Sequence, residues 1–93
     1  MDGRRRYAAI IAAAMRKVAA DPKGPATRGR AELLTGIRSF HVRYARGYDP
    51  EAKVRRPVHV LYYRAVAPNL VEIVRVLHDR MEPSRYFGDQ TTD

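Results

Sequence analysis

Three basic side chains in this chain stand where they could act on an anion. Arg38 follows Gly36 at the start of an alternating segment, and Arg75 and His78 share the run Val71-Glu72-Ile73-Val74-Arg75-Val76-Leu77-His78-Asp79-Arg80-Met81-Glu82-Pro83. A guanidinium is a rigid fork of donors, so Arg38 could neutralise a phosphate in a transition state. It could equally hold a structural ion pair with a carboxylate such as Glu72. Arg75 shares a strand face with Ile73 and Leu77, and an arginine among apolar neighbours must be paired or lie at a rim. His78, at the strand end, is a candidate general base. Its plainer reading is a histidine that hydrogen-bonds the backbone and fixes the segment after it, and His59 offers the same two readings with less in favour of chemistry. No two of the three histidines have the i, i+4 spacing of a helical zinc pair, and the chain has no cysteine. No metal and no cofactor are expected. There is also no Gly-rich phosphate loop and no Ser, His, Asp arrangement to support an ATPase or a hydrolase.

The elements that would position these residues are legible from periodicity. From Arg4 to Ala20, the residues Tyr7, Ile10, Ile11, Ala14, Met15 and Val18 recur at three- and four-residue intervals, which predicts one apolar helix face. Pro22 cannot continue that helix. Residues 22 to 31 read as an irregular connection, followed by a short helical turn at Ala31 to Thr35. Period-two patterning predicts a strand from Arg38 to Tyr44, with Phe40, Val42 and Tyr44 on one face and Ser39, His41 and Arg43 on the other. Val58 to Val66 and Leu70 to Leu77 read as two well-covered strands, joined as a hairpin through Ala67-Pro68-Asn69. The charged stretch Arg46 to Arg56 is expected to project from the sheet. In the segment from Asp79 to Phe87, Met81, Tyr86 and Phe87 are available to fold back on the sheet.

At 93 residues the chain is read as one domain, 1–93, with residues 1–3 and 88–93 frayed. Its apolar content of 45% argues against disorder. The net charge of +8 lies wholly in the first half: residues 1 to 46 hold eleven Lys or Arg against three acids, and residues 47 to 93 hold seven against seven. Such a field favours a polyanionic partner, either nucleic acid or an acidic protein segment, and reads equally as solvated surface charge that serves solubility. Arg4-Arg5-Arg6 ahead of Tyr7 to Met15 imitates a signal peptide, but Arg16 and Lys17 interrupt it. No apolar run approaches the roughly 20 residues that span a bilayer. A cytoplasmic protein without a membrane partner is expected.

Together, the Arg-Val-Leu-His-Asp-Arg-Met run of residues 75 to 81, Tyr62-Tyr63-Arg64 upstream of it, Gly36-Ile37-Arg38-Ser39-Phe40, and Tyr7-Ala8-Ala9-Ile10-Ile11 leading to Ala19-Ala20-Asp21-Pro22 resemble the ParE-like toxins of the RelE/ParE superfamily. These are small proteins encoded beside an antitoxin, and the similarity runs from about Tyr7 to Phe87. It implies an α+β fold, a helical layer on a small three-stranded antiparallel sheet with a short C-terminal segment. Members typically begin with a further strand and helix, so the chain reads as lacking that leading layer. One helix, about 10 to 12 Å across, cannot cover such a sheet alone. Part of the sheet face is therefore expected to be exposed and covered by an antitoxin segment or a second copy, in a homo- or hetero-oligomer.

The resemblance implies a plasmid-stabilization type of toxin that blocks DNA gyrase by binding, not by turnover. Its neutraliser would be a ParD-like antitoxin whose acidic C-terminal segment wraps the basic helix and the open sheet. Arg4, Arg5, Arg6, Arg16 and Lys17, on the exposed side of the helix, are candidate contacts with antitoxin or target, together with Arg38, Arg75, His78 and Arg80. An alternative is a RelE-like, ribosome-dependent endoribonuclease using Arg38, Arg75 and Tyr86. That set is incomplete, because relatives that cut message add a Lys or Glu, whereas the tail here holds only Arg80 and Arg85 among acids. A third alternative is a nonenzymatic nucleic-acid-binding module, suggested by charge and by tyrosines near arginines.

Overall fold

The computed structural model describes residues 2–50 and 52–87, with the side chains of residues 2 and 3 excepted. Of residues 1–3 and 88–93, expected to fray, residue 1 and residues 88–93 lie outside the described residues, and the backbone of residues 2 and 3 is helical. Helix α1 (Asp2–Ala20) begins the fold. Alanines at its centre raise helical propensity, and Ile10, Ala13, Ala14 and Val18 recur at helical spacing and are buried. Tyr7, Ile11 and Met15 flank that stripe and pack against the same core. Asp21 closes the last turn by donating its backbone N–H to the Lys17 carbonyl, and Pro22 follows.

Strands β1 (Arg28–Gly29), β2 (Arg38–His41), β3 (His59–Ala67) and β4 (Leu70–His78) form one antiparallel sheet in the order β1-β2-β3-β4. The sheet has four strands and not the expected three. Two residues within a segment rich in Pro, Gly and Arg carry no alternation to mark β1, so only pairing with β2 reveals it. Ala31 to Thr35 is a chain of turns and not a turn of helix; Leu33 and Leu34 both donate to the Arg30 carbonyl, and Ile37 donates to that of Leu34.

The first predicted strand ends three residues early. At His41 the backbone is still extended, but its side chain accepts the Arg43 N–H and caps a 3-10 helix, Val42–Ala45. Val42 and Ala45 then bury on the core side at a spacing of three, and Tyr44 turns out to solvent at 47% exposure. The connection after it also differs from expectation. Ala52 is buried in the core and Val54 packs beside it, while Arg16 pairs with Asp49 at 3.0 Å and the Lys17 ammonium lies 5.3 Å from the Tyr48 ring centre. Apolar anchoring and these contacts draw the segment against α1.

Each face of the sheet carries an apolar cluster. On one, Phe40, Leu61 and Tyr63 pack with Ile10, Ala13, Ala14 and Val18 of α1. On the other, Ile37, Tyr62, Leu77 and Phe87 form a second cluster, flanked by Leu33, Leu34, Val60 and Val74. Of the three tail residues expected to fold back, Phe87 does so, whereas Met81 and Tyr86 stay exposed at 44% and 38%. Coverage of the helix side is partial. Val76 pairs with Leu61 and so shares its face, yet is 39% exposed, with Val71 and Ile73 half-buried beside it.

Candidate interaction surfaces

Arg38 lies on the helix-covered face, because it is the cross-strand partner of Tyr63. Its Nε donates to the Pro22 carbonyl at 3.1 Å and its Nη2 to the Thr27 hydroxyl at 2.8 Å. The Tyr63 hydroxyl donates to the same Pro22 carbonyl, and burial pushes that phenol up. Arg38 and Tyr63 thus fasten the loop after α1 to the sheet. The suggested partner Glu72 is engaged elsewhere, accepting from Arg64 at 2.8 Å.

Arg75 lies on the opposite face, paired with Tyr62, and its Nε donates to the Tyr86 carbonyl at 3.3 Å. It holds the 3-10 helix Pro83–Tyr86 against the strand. The three residues proposed for RNA cleavage are therefore not assembled at one point: Arg75 and Tyr86 meet through the tail backbone, and Arg38 sits across the sheet from them.

The histidines come together instead. His59 and His78 are cross-strand partners with ring centres 5.7 Å apart. His41 joins them through Asp79: its Nε2 lies 2.9 Å from Asp79 Oδ2, and His78 Nδ1 lies 3.3 Å from Asp79 Oδ1. Since His41 Nδ1 accepts from the Arg43 backbone N–H, the neutral ring carries its proton on Nε2 and donates it to Asp79. That hydrogen bond holds the Asp79 carboxyl below its usual range. His78 Nδ1 accepts from the Arg80 backbone N–H at 3.1 Å, the anchoring role weighed against catalysis. With the His59 ring in the tautomer that leaves Nδ1 bare, the Tyr7 hydroxyl donates to it at 2.7 Å while accepting from the Val58 N–H at 2.8 Å. Burial, and then the neighbouring His78, push His59 below its ordinary value. Among the described residues no group of His, Asp and Glu is arranged to hold a metal. Sequence reasoning passed over His41 because it weighed the histidines one strand at a time; pairing the two hairpin strands back from Pro68-Asn69 places His59 opposite His78.

The five basic residues of α1 divide. Arg4, Arg5 and Arg6 are exposed and make no ion pair among the described residues, whereas Arg16 and Lys17 engage Asp49 and Tyr48. Arg80 is exposed beyond the end of β4. No helix among the described residues is long and apolar enough to cross a membrane.

Neither the curated proteins nor the solved structures compared with the chain provide a match. Residues 2–83 match the family model described as the ParE toxin of the type II toxin-antitoxin system parDE, a span that takes in α1, all four strands and the Arg-Val-Leu-His run. With one helix packed on a four-stranded antiparallel sheet in an α+β arrangement, the chain belongs to the ParE toxin family and is the toxin of a type II toxin-antitoxin pair.

Proposed function

We propose that this toxin acts in the cytoplasm by binding DNA gyrase and blocking it, without turnover, and that a ParD-like antitoxin neutralises it by covering α1 and the open strip of the sheet. The observation that carries the nonenzymatic reading is the separation of Arg38 from Arg75 and Tyr86 on opposite faces. Each of these arginines is spent on a backbone carbonyl, and general acid-base or phosphate chemistry needs its groups convergent on one reacting atom. The antitoxin reading is supported by an exposed apolar residue, Val76, on the helix side of the edge strand β4 and by the uncompensated charge of Arg4, Arg5 and Arg6. An extended acidic segment with apolar anchors complements both. Purified toxin added to a gyrase supercoiling assay and, in parallel, to a translating ribosome extract tests the reading. Loss of supercoiling with intact message is expected, and relief of that loss by the antitoxin. Cleaved message with unimpaired supercoiling would overturn it.

A further inference from the structure

The sheet face turned away from α1 carries an open cleft of about 630 Å³, within the size range of ligand sites. Its floor is a single cross-strand row, since Arg28 pairs with Ser39 and Ser39 with Tyr62, and paired residues project to one face. Arg30, Arg43, Tyr44 and the hydrogen-bonded His41 and Asp79 also line it. The residues weighed above for toxin chemistry, Arg38, Arg75 and Tyr86, are absent from this lining.

The charges of the cleft are unequally spent. Asp79 accepts from His41 at 2.9 Å, and Arg30 is paired with Glu32 at 2.7 Å. Arg28 and Arg43 make no ion pair among the described residues. Two of the guanidinium groups lie over aromatic rings, Arg30 at 5.8 Å from the Tyr62 ring centre and Arg43 at 5.1 Å from that of Tyr44. Arg43 Nη2 also donates to the Tyr44 hydroxyl at 3.3 Å, which holds that guanidinium beside the ring with no carboxylate neutralising it. Tyr44 itself is 47% exposed, so it offers surface to a planar partner, with Phe40 and His41 against the rest of the ring at 6.0 and 6.5 Å between centres.

Donors suited to phosphate beside an open aromatic ring are the two parts of a sequence-tolerant single-strand site: the arginines track the backbone and the ring takes a base. A duplex would offer phosphates but keep its base faces stacked on one another, leaving Tyr44 unused. An acidic peptide would meet the arginines and likewise leave the ring idle. We propose that this cleft binds single-stranded nucleic acid, with backbone phosphates on Arg28 and Arg43 and a base stacked on Tyr44, and that it holds the strand without cutting it. The proposal stands on residues separate from those that support gyrase inhibition, and neither depends on the other.

Fluorescence anisotropy of a labelled ten-nucleotide oligothymidylate, titrated with the full chain across a salt series, tests it. Binding is expected to weaken with salt. Arg28→Gln with Arg43→Gln should flatten the log-log slope by about 1.4, since each single-strand phosphate contact contributes about 0.7. Tyr44→Leu should weaken binding on the order of ten-fold, and Tyr44→Phe should retain it. Arg4→Gln with Arg5→Gln removes the same charge from α1 and should change affinity much less. No binding, or equal losses from the two arginine pairs, overturns the proposal, the second outcome reducing it to general charge attraction. Displacement of the strand by polyglutamate together with indifference to Tyr44→Leu overturns it in favour of an acidic protein segment. Amide shift mapping on the unaltered chain is independent of any variant: perturbations should gather at Ser39, His41, Tyr44 and Tyr62, and perturbations confined to α1 sink the idea.

Discussion

Tyr7 uses its hydroxyl in both directions, accepting from the Val58 N–H and donating to His59 Nδ1, and its ring meets that of His59 edge-on at 5.2 Å between centres. With the Val58 N–H already directed at the Tyr7 oxygen, the arrangement favours a His59 ring whose Nδ1 is bare. Protonation would set two donors against one hydroxyl and place a cation beside His78, and desolvation already disfavours the charged ring. Because the folded state lowers the affinity of His59 for a proton, the unfolded chain binds more protons once the pH falls toward the ordinary histidine value near 6.5. The stabilisation is fully present above that value. It is lost as pH falls from there through the depressed folded value. Melting temperature is therefore expected to fall between pH 7 and pH 5, and the fall should shrink in His59→Asn, whose side-chain oxygen can still accept from Tyr7. An equally steep fall in that variant would assign the effect to other groups. The carboxyl of Asp79, also depressed, acts in a separate and lower window, below its ordinary value near 3.9.

The hairpin of β3 and β4 shows how far local chemistry determines an element. Ala67 pairs with Leu70, which leaves Pro68 and Asn69 as a two-residue turn. Asn69 has a φ of 62°. Proline presets the first central position and asparagine tolerates the left-handed second one, so the turn follows from residues readable in the sequence, and His59 meets His78 because two register shifts along the hairpin cancel. A residue with a branched Cβ at position 69 should cost about 1 to 2 kcal/mol, or roughly 4 to 16 °C in melting temperature for a domain of this size. Asn69→Val is expected to show that loss and Asn69→Gly to melt close to the parent; equal melting of both would mean the turn is not held in this conformation. Other elements were less legible for equally physical reasons. Phe40, Val42 and Tyr44 alternate as a strand would, but three positions do not separate a period of two from the step of three by which Val42 and Ala45 bury. Strand β1 has too few residues to carry any pattern. The placement of Arg38 and Arg75 on opposite faces depends on which strand residue meets which, and the register shift of the β3 and β4 pairing between Tyr62 and Tyr63 is not marked by glycine or proline. Composition announced a basic protein; only the pairing of Arg28 with Ser39 and of Ser39 with Tyr62 gathered part of that charge into a cleft.

At the scale of the whole molecule, the surplus of positive charge in the first half is placed at some cost to the fold. Arg4, Arg5 and Arg6 occupy the early turns of α1, the end at which the aligned peptide dipoles are already positive, and cations there oppose the helix. They contribute no ion pair among the described residues to offset this. A charge that works against its own helix is better explained by what approaches it. On the proposed reading that partner is the acidic segment of an antitoxin, and attraction between exposed charges raises the rate of encounter more than it slows departure. Replacing Arg4, Arg5 and Arg6 together with glutamine, a residue of similar helical propensity, separates the two roles. The melting temperature should stay level or rise, because the helix loses an unfavourable interaction. Antitoxin association at low ionic strength should slow about ten-fold or more, with a dissociation rate close to that of the parent. The difference should fade as salt shortens the Debye length to about 8 Å at physiological strength and below that beyond it. Stopped-flow association across a salt series, alongside thermal melts of both proteins, provides the measurement. An unchanged association rate at low salt would place the antitoxin away from the start of α1, and a lower melting temperature would mean that these arginines support the helix.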